Sequence, residues 1–196
     1  MKRTWRLADT GVSTTCGSGW VLLPDTMWND RDTPLAYLIT FRAYGTWLHG
    51  DERGSTDRRN NIYGNPHYHP NPEWHTHNQK QLAHDPVTLC TARRAAIEFA
   101  ITDTCRRRFW DLMAHNIRTN HAHAVVDTLG KEGSLALNAL KANSTRELRQ
   151  RGQWESPRSP WADKGSCRGL WNEQSVAAAI EYVLHGQGGD LPKFDR

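Results

Sequence analysis

The stretch WDLMAHNIRTNHAHAVVDTL, residues 110–129, decides the fold. Residues 110–117 are mostly apolar and read as a strand. HAHAVVDTL (121–129) reads as a second strand, and Arg118–Asn120 make a tight turn between the two. Side chains alternate across a strand with a period of two. His121 and His123 therefore share one face with Val125 and Asp127. Ala122, Ala124 and Val126 take the other face, which must pack on helices. Two imidazoles at i and i+2 lie close enough to share one metal ion. Two half-exposed histidines on an open sheet face satisfy the same spacing. Asn120 and the small alanines leave room for a ligand to approach.

Working outward, LAYLITFRAY (35–44) is apolar, β-branched and aromatic, and reads as a buried strand. Residues 45–85 form a polar, loop-rich insertion with His67, His69, His75 and His77. That cluster suits either a metal or a loop without a fixed site. Asp85-Pro86 has the form of an N-cap followed by a first-turn proline. Leu89, Ala92, Ala96, Ile97, Ala100 and Ile101 then recur at helical spacing, which predicts a helix of about five to six turns. A second helix is expected over 133–152 and a third over 172–189, where glycines stop it. One further strand is expected in 153–171. Strands alternating with helices in this order predict an α+β fold: a ferredoxin-like (RRM-like) antiparallel sheet with helices packed on it. The expected division is an N-terminal extension (1–33), one domain (34–189) carrying the 45–85 insertion, and a tail (190–196).

The chain has 196 residues, of which 37% are hydrophobic and 23% charged, enough for one packed core. Its formal net charge of +4 is compatible with a polyanionic partner. Cys16, Cys90, Cys105 and Cys167 lack the two-residue spacing of zinc or redox motifs and read as reduced thiols. The basic start has no apolar h-region, and no stretch approaches the length of a transmembrane helix. A cytoplasmic protein with no membrane partner is the expectation. Nine tryptophans are an excess that suits either core packing or base stacking. No G-x-x-x-x-G-K-[ST] phosphate loop occurs.

Three enzyme families use a paired histidine of this kind. Histidine-triad hydrolases need a third histidine where this chain has Val125. Amidohydrolase barrels need a longer chain. HUH endonucleases pair the histidines with a tyrosine on a nearby helix. Here Val176, Ala179, Ile180, Val183 and Leu184 form the apolar stripe of the third helix, and Tyr182 lies on its flank. YLITFRAYGTWLHGDERGS, then RTNHAHAVV, LW and AIEYVLHGQG, together resemble the single-tyrosine HUH transposases of insertion sequences and REP-associated elements. The resemblance covers roughly residues 35–189.

That resemblance implies an HUH-type fold and a metal-dependent, single-strand-specific DNA endonuclease and strand transferase. Tyr182 would be the nucleophile, giving a 5′-phosphotyrosine intermediate. His121 and His123 would hold Mg²⁺ or Mn²⁺. A third ligand is expected just after the tyrosine: Gln187 matches the GQG pattern, and His185 is the rival that shares the tyrosine's helix face. The implied partner is single-stranded or hairpin DNA. Relatives divide between homodimers with shared sites and monomers. Contacts to DNA are expected from the basic helices, at Arg93, Arg94 and Arg106–Arg108 (Arg106 and Arg107 foremost) on the first and Lys141, Arg146 and Arg149 on the second. Trp47 is the expected base-stacking residue. Two other classes fit parts of the pattern. One is a domesticated module of the same fold that binds a hairpin without cutting. The other is a metal hydrolase of small phosphoesters.

Overall fold

The computed structural model describes residues 32–52, 54 and 68–188. The expected extension over 1–33 and the tail over 190–196 lie almost wholly outside these residues, as does His67. The elements in chain order are β1 (Ala36–Arg42), α1 (Pro72–Lys80), α2 (Thr91–Arg108), β2 (Asp111–Ile117), β3 (His121–Asp127), α3 (Gly133–Gln150), β4 (Ser166–Leu170) and α4 (Glu173–His185).

The four strands form one sheet in the order β2-β3-β1-β4, and every pairing is antiparallel. This is the α+β, ferredoxin-like order expected from the sequence. The strand expected within 153–171 is β4, which sits at a sheet edge beside β1. Arg118 N–H donates to the His121 carbonyl at 2.8 Å and closes the expected turn between β2 and β3.

The period-two reading of β3 holds in three dimensions. Ala122, Ala124 and Val126 are fully buried with Ile97 and Ile101 of α2 and Leu140 and Leu148 of α3. On the opposite face, Val125 is buried with Ala114, Leu170 and the α4 residues Val176, Ala179 and Val183. A fully buried Leu or Ile side chain contributes roughly 1.5–3 kcal/mol, so the α2/α3 layer carries most of the apolar stabilisation. The smaller α4 layer leaves part of its sheet face for polar side chains.

Three details differ from expectation. First, α2 begins at Thr91, not at Asp85-Pro86. Val87 N–H donates to the Tyr44 carbonyl (2.8 Å) and Leu89 N–H to the Thr119 carbonyl (2.7 Å). These bonds hold 85–90 in a path that buries Val87 and Leu89 outside the helix. Ala92 is exposed as well, so the buried stripe of α2 begins at Ala96.

Second, the 45–85 insertion contains α1. Asn71 Oδ1 accepts from Trp74 N–H at 2.9 Å, with Pro72 and Glu73 in the first turn. The helix buries no residue and instead hangs on backbone: Asn71 N–H donates to the Gly50 carbonyl at 3.0 Å. Gly50 has φ +87°, and a Cβ there would meet the Asn71 oxygen at 2.4 Å, so only glycine allows this approach. Third, Leu184 is half-exposed and lies outside the apolar face of α4.

Among the described residues, no helix is long and apolar enough to cross a membrane. Cys90, Cys105 and Cys167 are free thiols.

Candidate active site

Pairing β1 with β3 places Thr40 beside His123 and Arg42 beside His121. The two imidazole centroids are 4.6 Å apart. Each ring is steered by a polar neighbour. Thr40 Oγ1 lies 2.7 Å from His123 Nδ1, and Asn120 Oδ1 lies 2.7 Å from His121 Nδ1. His123 is only 6% exposed. Burial pushes its pKa down to about 4, helped by the neighbouring His121 and Arg42 and opposed by Gln187, whose amide oxygen can accept from the charged ring. At neutral pH His123 is therefore an uncharged imidazole, the form that offers a lone pair.

The helix α4 starts at Asn172, whose side chain accepts from Ser175 N–H at 2.8 Å. Its far end is tied to the sheet by Asn116 of β2, which neighbours His123 across the strand pair. Asn116 Nδ2 donates to the Val183 carbonyl at 2.9 Å. Tyr182, one residue earlier, is 45% exposed, and its ring centroid lies 5.5 Å from that of His123. Among the described residues its hydroxyl makes no hydrogen bond.

After α4 the chain turns at Gly186, whose N–H donates to the Tyr182 carbonyl at 2.9 Å. A Cβ on Gly186 would fall 2.8 Å from Cδ2 of the Tyr182 ring. The glycine therefore makes room for the ring; its φ is an ordinary −83°. Gln187 then folds back. Its Nε2 donates to the same Tyr182 carbonyl at 3.1 Å, which turns Oε1 toward His121 Nε2 at 3.2 Å. His185 is exposed and does not line the cavity. Of the two rivals, Gln187 is the one that meets the histidine pair.

The hydrogen-bond network makes a specific electrostatic demand. An amide oxygen at Asn120 Oδ1 can only accept, so His121 Nδ1 carries the proton in this arrangement. In the neutral ring, Nε2 then holds a lone pair aimed at the Gln187 oxygen, which is also an acceptor. A proton or a cation between them would remove the repulsion. Two imidazole nitrogens and one amide oxygen suit a divalent ion that completes its shell with water or substrate oxygens. Among the described residues no group of three or more His, Cys, Asp and Glu could hold a metal, and that applies to His69, His75 and His77 of the insertion as well.

These side chains open onto a cavity of about 870 Å³ between the sheet and α4. Trp47, His121, His123, Tyr182 and Gln187 all line it. So do Arg42 of β1 and Ser166 and Arg168 of β4, which the sequence reading passed over. The Arg42 guanidinium lies 3.5 Å over the Trp47 ring, and Trp47 Nε1 donates to the Gly54 carbonyl at 2.7 Å. Trp47 is thus at the site, but one of its faces is covered by arginine.

The basic residues expected to touch DNA are elsewhere. Arg106, Arg107, Lys141, Arg146 and Arg149 belong to α2 and α3, whose layer covers the opposite face of the sheet, and none lines this cavity. Arg106 and Arg107 both pair with Asp103 at 2.6 Å. Lys141 Nζ donates to the carbonyls of Ala162, Asp163 and Lys164, and burial lowers its pKa. Arg149 donates to the carbonyls of Ser156, Pro157 and Arg158. Lys141 and Arg149 thus brace the connection into β4, and Arg146 is exposed. The signal that could have found Arg42 is its alternation with Leu38 and Thr40 on one strand face. Arg168 needed the β1–β4 register.

No family model matches the chain, and no curated protein matches it. Among solved structures, one described as "Structure of the REP associates tyrosine transposase bound to a REP hairpin" is similar, at a TM-score of 0.45 and 12% sequence identity. The match covers 77% of this chain and 65% of that one.

Proposed function

We propose that the chain is a metal-dependent endonuclease and strand transferase acting on single-stranded or hairpin-flanked DNA through a tyrosine–phosphate intermediate. The observation that carries this reading is the convergence of Tyr182, His121, His123 and Gln187 on one cavity that, among the described residues, no carboxylate lines. A phosphodiester is an anion, and a wall of arginine, histidine, hydroxyl and amide groups without carboxylates suits it.

In the proposed reaction the Tyr182 oxygen loses its proton and attacks the phosphorus. A Tyr–O–P ester forms, the P–O3′ bond breaks, and the departing O3′ takes up a proton to become a 3′-hydroxyl. The ester keeps the bond energy, so a second 3′-hydroxyl can reverse the step on another strand without a nucleotide cofactor. His121, His123 and Gln187 would hold Mg²⁺ or Mn²⁺, which would draw charge from the phosphate oxygens. Asn120 and Thr40 fix the ring orientations that this demands, as polar neighbours of ligating histidines do. Asn116 and Gly186 hold Tyr182 beside the pair.

The test is a single-stranded oligonucleotide labelled at its 3′ end, because the protein becomes joined to the fragment carrying the 5′-phosphate. The wild-type chain should give an adduct stable to denaturing gels with Mg²⁺ or Mn²⁺ and none with a chelator. Changing His121 and His123 together to alanine should abolish the adduct and leave DNA affinity within a few fold, since the phosphate contacts carry most of the binding. An adduct that forms equally well without metal, or in the double variant, would overturn the reading.

A further inference from the structure

We propose that Arg42 and Arg168 form the track that holds the phosphodiester backbone of single-stranded DNA across the cavity, on either side of the His123 row. This deepens the proposed function and rests on it for the identity of the strand.

The register defines three rows on this face of the sheet. Arg42 pairs with His121. Thr40 pairs with His123 on one side and Ser166 on the other. Leu38 pairs with Val125 and with Arg168. Arg42 and the level of Arg168 are thus four β1 residues apart, about 13 Å at the usual strand rise. The row of Thr40, His123 and Ser166 lies between them. A strand laid along β1 would meet Arg42 level with His121, then the row of His123 and the Ser166 hydroxyl, then Arg168.

Charge and preorganisation point the same way. Among the described residues, no aspartate or glutamate lines this cavity. Arg42 is held flat on Trp47, which is anchored through Nε1 to the Gly54 carbonyl. Stacking sets the plane of the guanidinium fork before a phosphate arrives, so less side-chain entropy is lost on binding. Arg106 and Arg107, the strongest basic run in the sequence, share the Asp103 carboxylate on the other face of the sheet.

The experiment measures binding of the full chain to a fluorescent single-stranded oligonucleotide by anisotropy, in chelator so that no cleavage intervenes, over a series of salt concentrations. The variants are Arg168→Gln, Arg42→Gln, Arg42→Lys and the double variant Arg106→Gln/Arg107→Gln. Thermal midpoints monitor folding, and Arg42→Lys keeps the charge if loss of the Trp47 stack unsettles Arg42→Gln. Arg168→Gln should weaken binding roughly tenfold, as expected for a charge-assisted hydrogen bond. It should also flatten the log–log salt slope by about 0.7, the value for one phosphate contact on a single strand. Arg42→Gln should do the same, Arg42→Lys should fall between, and the double variant should stay within twofold of wild type. Wild-type affinity and slope in Arg168→Gln and Arg42→Gln would overturn the track, whether or not wild type forms an adduct. A loss confined to the double variant would move the DNA to the α2/α3 face and overturn it too, as would a wild-type chain that binds no single-stranded DNA. Arginine-dependent binding by a chain that never forms an adduct would uphold the track and sink the nuclease reading.

Discussion

Replacing Tyr182 by phenylalanine separates chemistry from stability more cleanly than any other change at this site. The substitution deletes one oxygen. Tyr182 is 45% exposed, and its hydroxyl has no hydrogen-bond partner among the described residues. No buried partner is orphaned, and the apolar contacts of α4 are made by Val176, Ala179 and Val183. The stability change should therefore stay within about 0.5 kcal/mol, the range for surface substitutions. For a domain of this size that is about 1–2 °C in thermal midpoint. The oxygen is also the atom that would bond to phosphorus, so the adduct should vanish entirely. The assay pairs a thermal melt with the 3′-labelled oligonucleotide on a denaturing gel. Anisotropy in chelator should show binding within twofold of wild type. An adduct persisting in Tyr182→Phe would put the nucleophile elsewhere. A midpoint lowered by many degrees would show that the hydroxyl carries a structural bond.

Two further outcomes follow from the same geometry. Gly186→Ala inserts a Cβ 2.8 Å from Tyr182 Cδ2. The Cβ would also meet the Tyr182 carbonyl oxygen at 2.8 Å, so the ring and the end of α4 must shift together; adduct formation should fall at least tenfold while oligonucleotide affinity holds within a few fold, and an unchanged cleavage rate would show that the placement of Tyr182 is not critical. The second concerns pH. His123 has a folded pKa of about 4 against 6.5 for a free histidine, so the unfolded chain takes up the proton first. Metal-free protein should keep its stability above pH 6.5, lose about 1.5 kcal/mol between pH 6.5 and 5, and lose about 3 kcal/mol in all by pH 4. Urea unfolding of wild type and His123→Asn across this window should show the step in wild type alone; equal pH dependence would mean that His123 is protonated in the folded chain.

Elements with a private signal were legible in the sequence, and elements fixed by partners far along the chain were not. The alternation in HAHAVVD is set by the backbone of one strand, so the face shared by His121 and His123 could be read without knowing what lay across from it. Most of the stripe and the flank of α4 were legible for the same reason, Tyr182 standing clear of Val183, though Leu184 was counted in the stripe and is half-exposed. The start of α2 was misplaced because Asp85-Pro86 satisfies every local rule for a cap. Two hydrogen bonds, from Val87 to Tyr44 and from Leu89 to Thr119, 43 and 30 residues away along the chain, override it. The helix α1 carried a cap, a proline and an acidic first turn, but it buries nothing, so a search for apolar periodicity passed over it. Counting basic residues favoured α2 and α3, because a run of arginines does not reveal that α2 turns its charges away from the histidines.

Gln187 shows where the boundary falls. On a continued helix it would lie about 140° around from Tyr182, which is why His185 competed with it in the sequence. The structure ends α4 at His185 and turns the chain at a glycine that leaves room for the Tyr182 ring. One amide then grips the Tyr182 carbonyl with its nitrogen and presents its oxygen to His121. The bond that joins Gln187 to Tyr182 is thus also the bond that orients it toward the histidines. A helical wheel has no place for it, because the contact exists only where the helix has stopped.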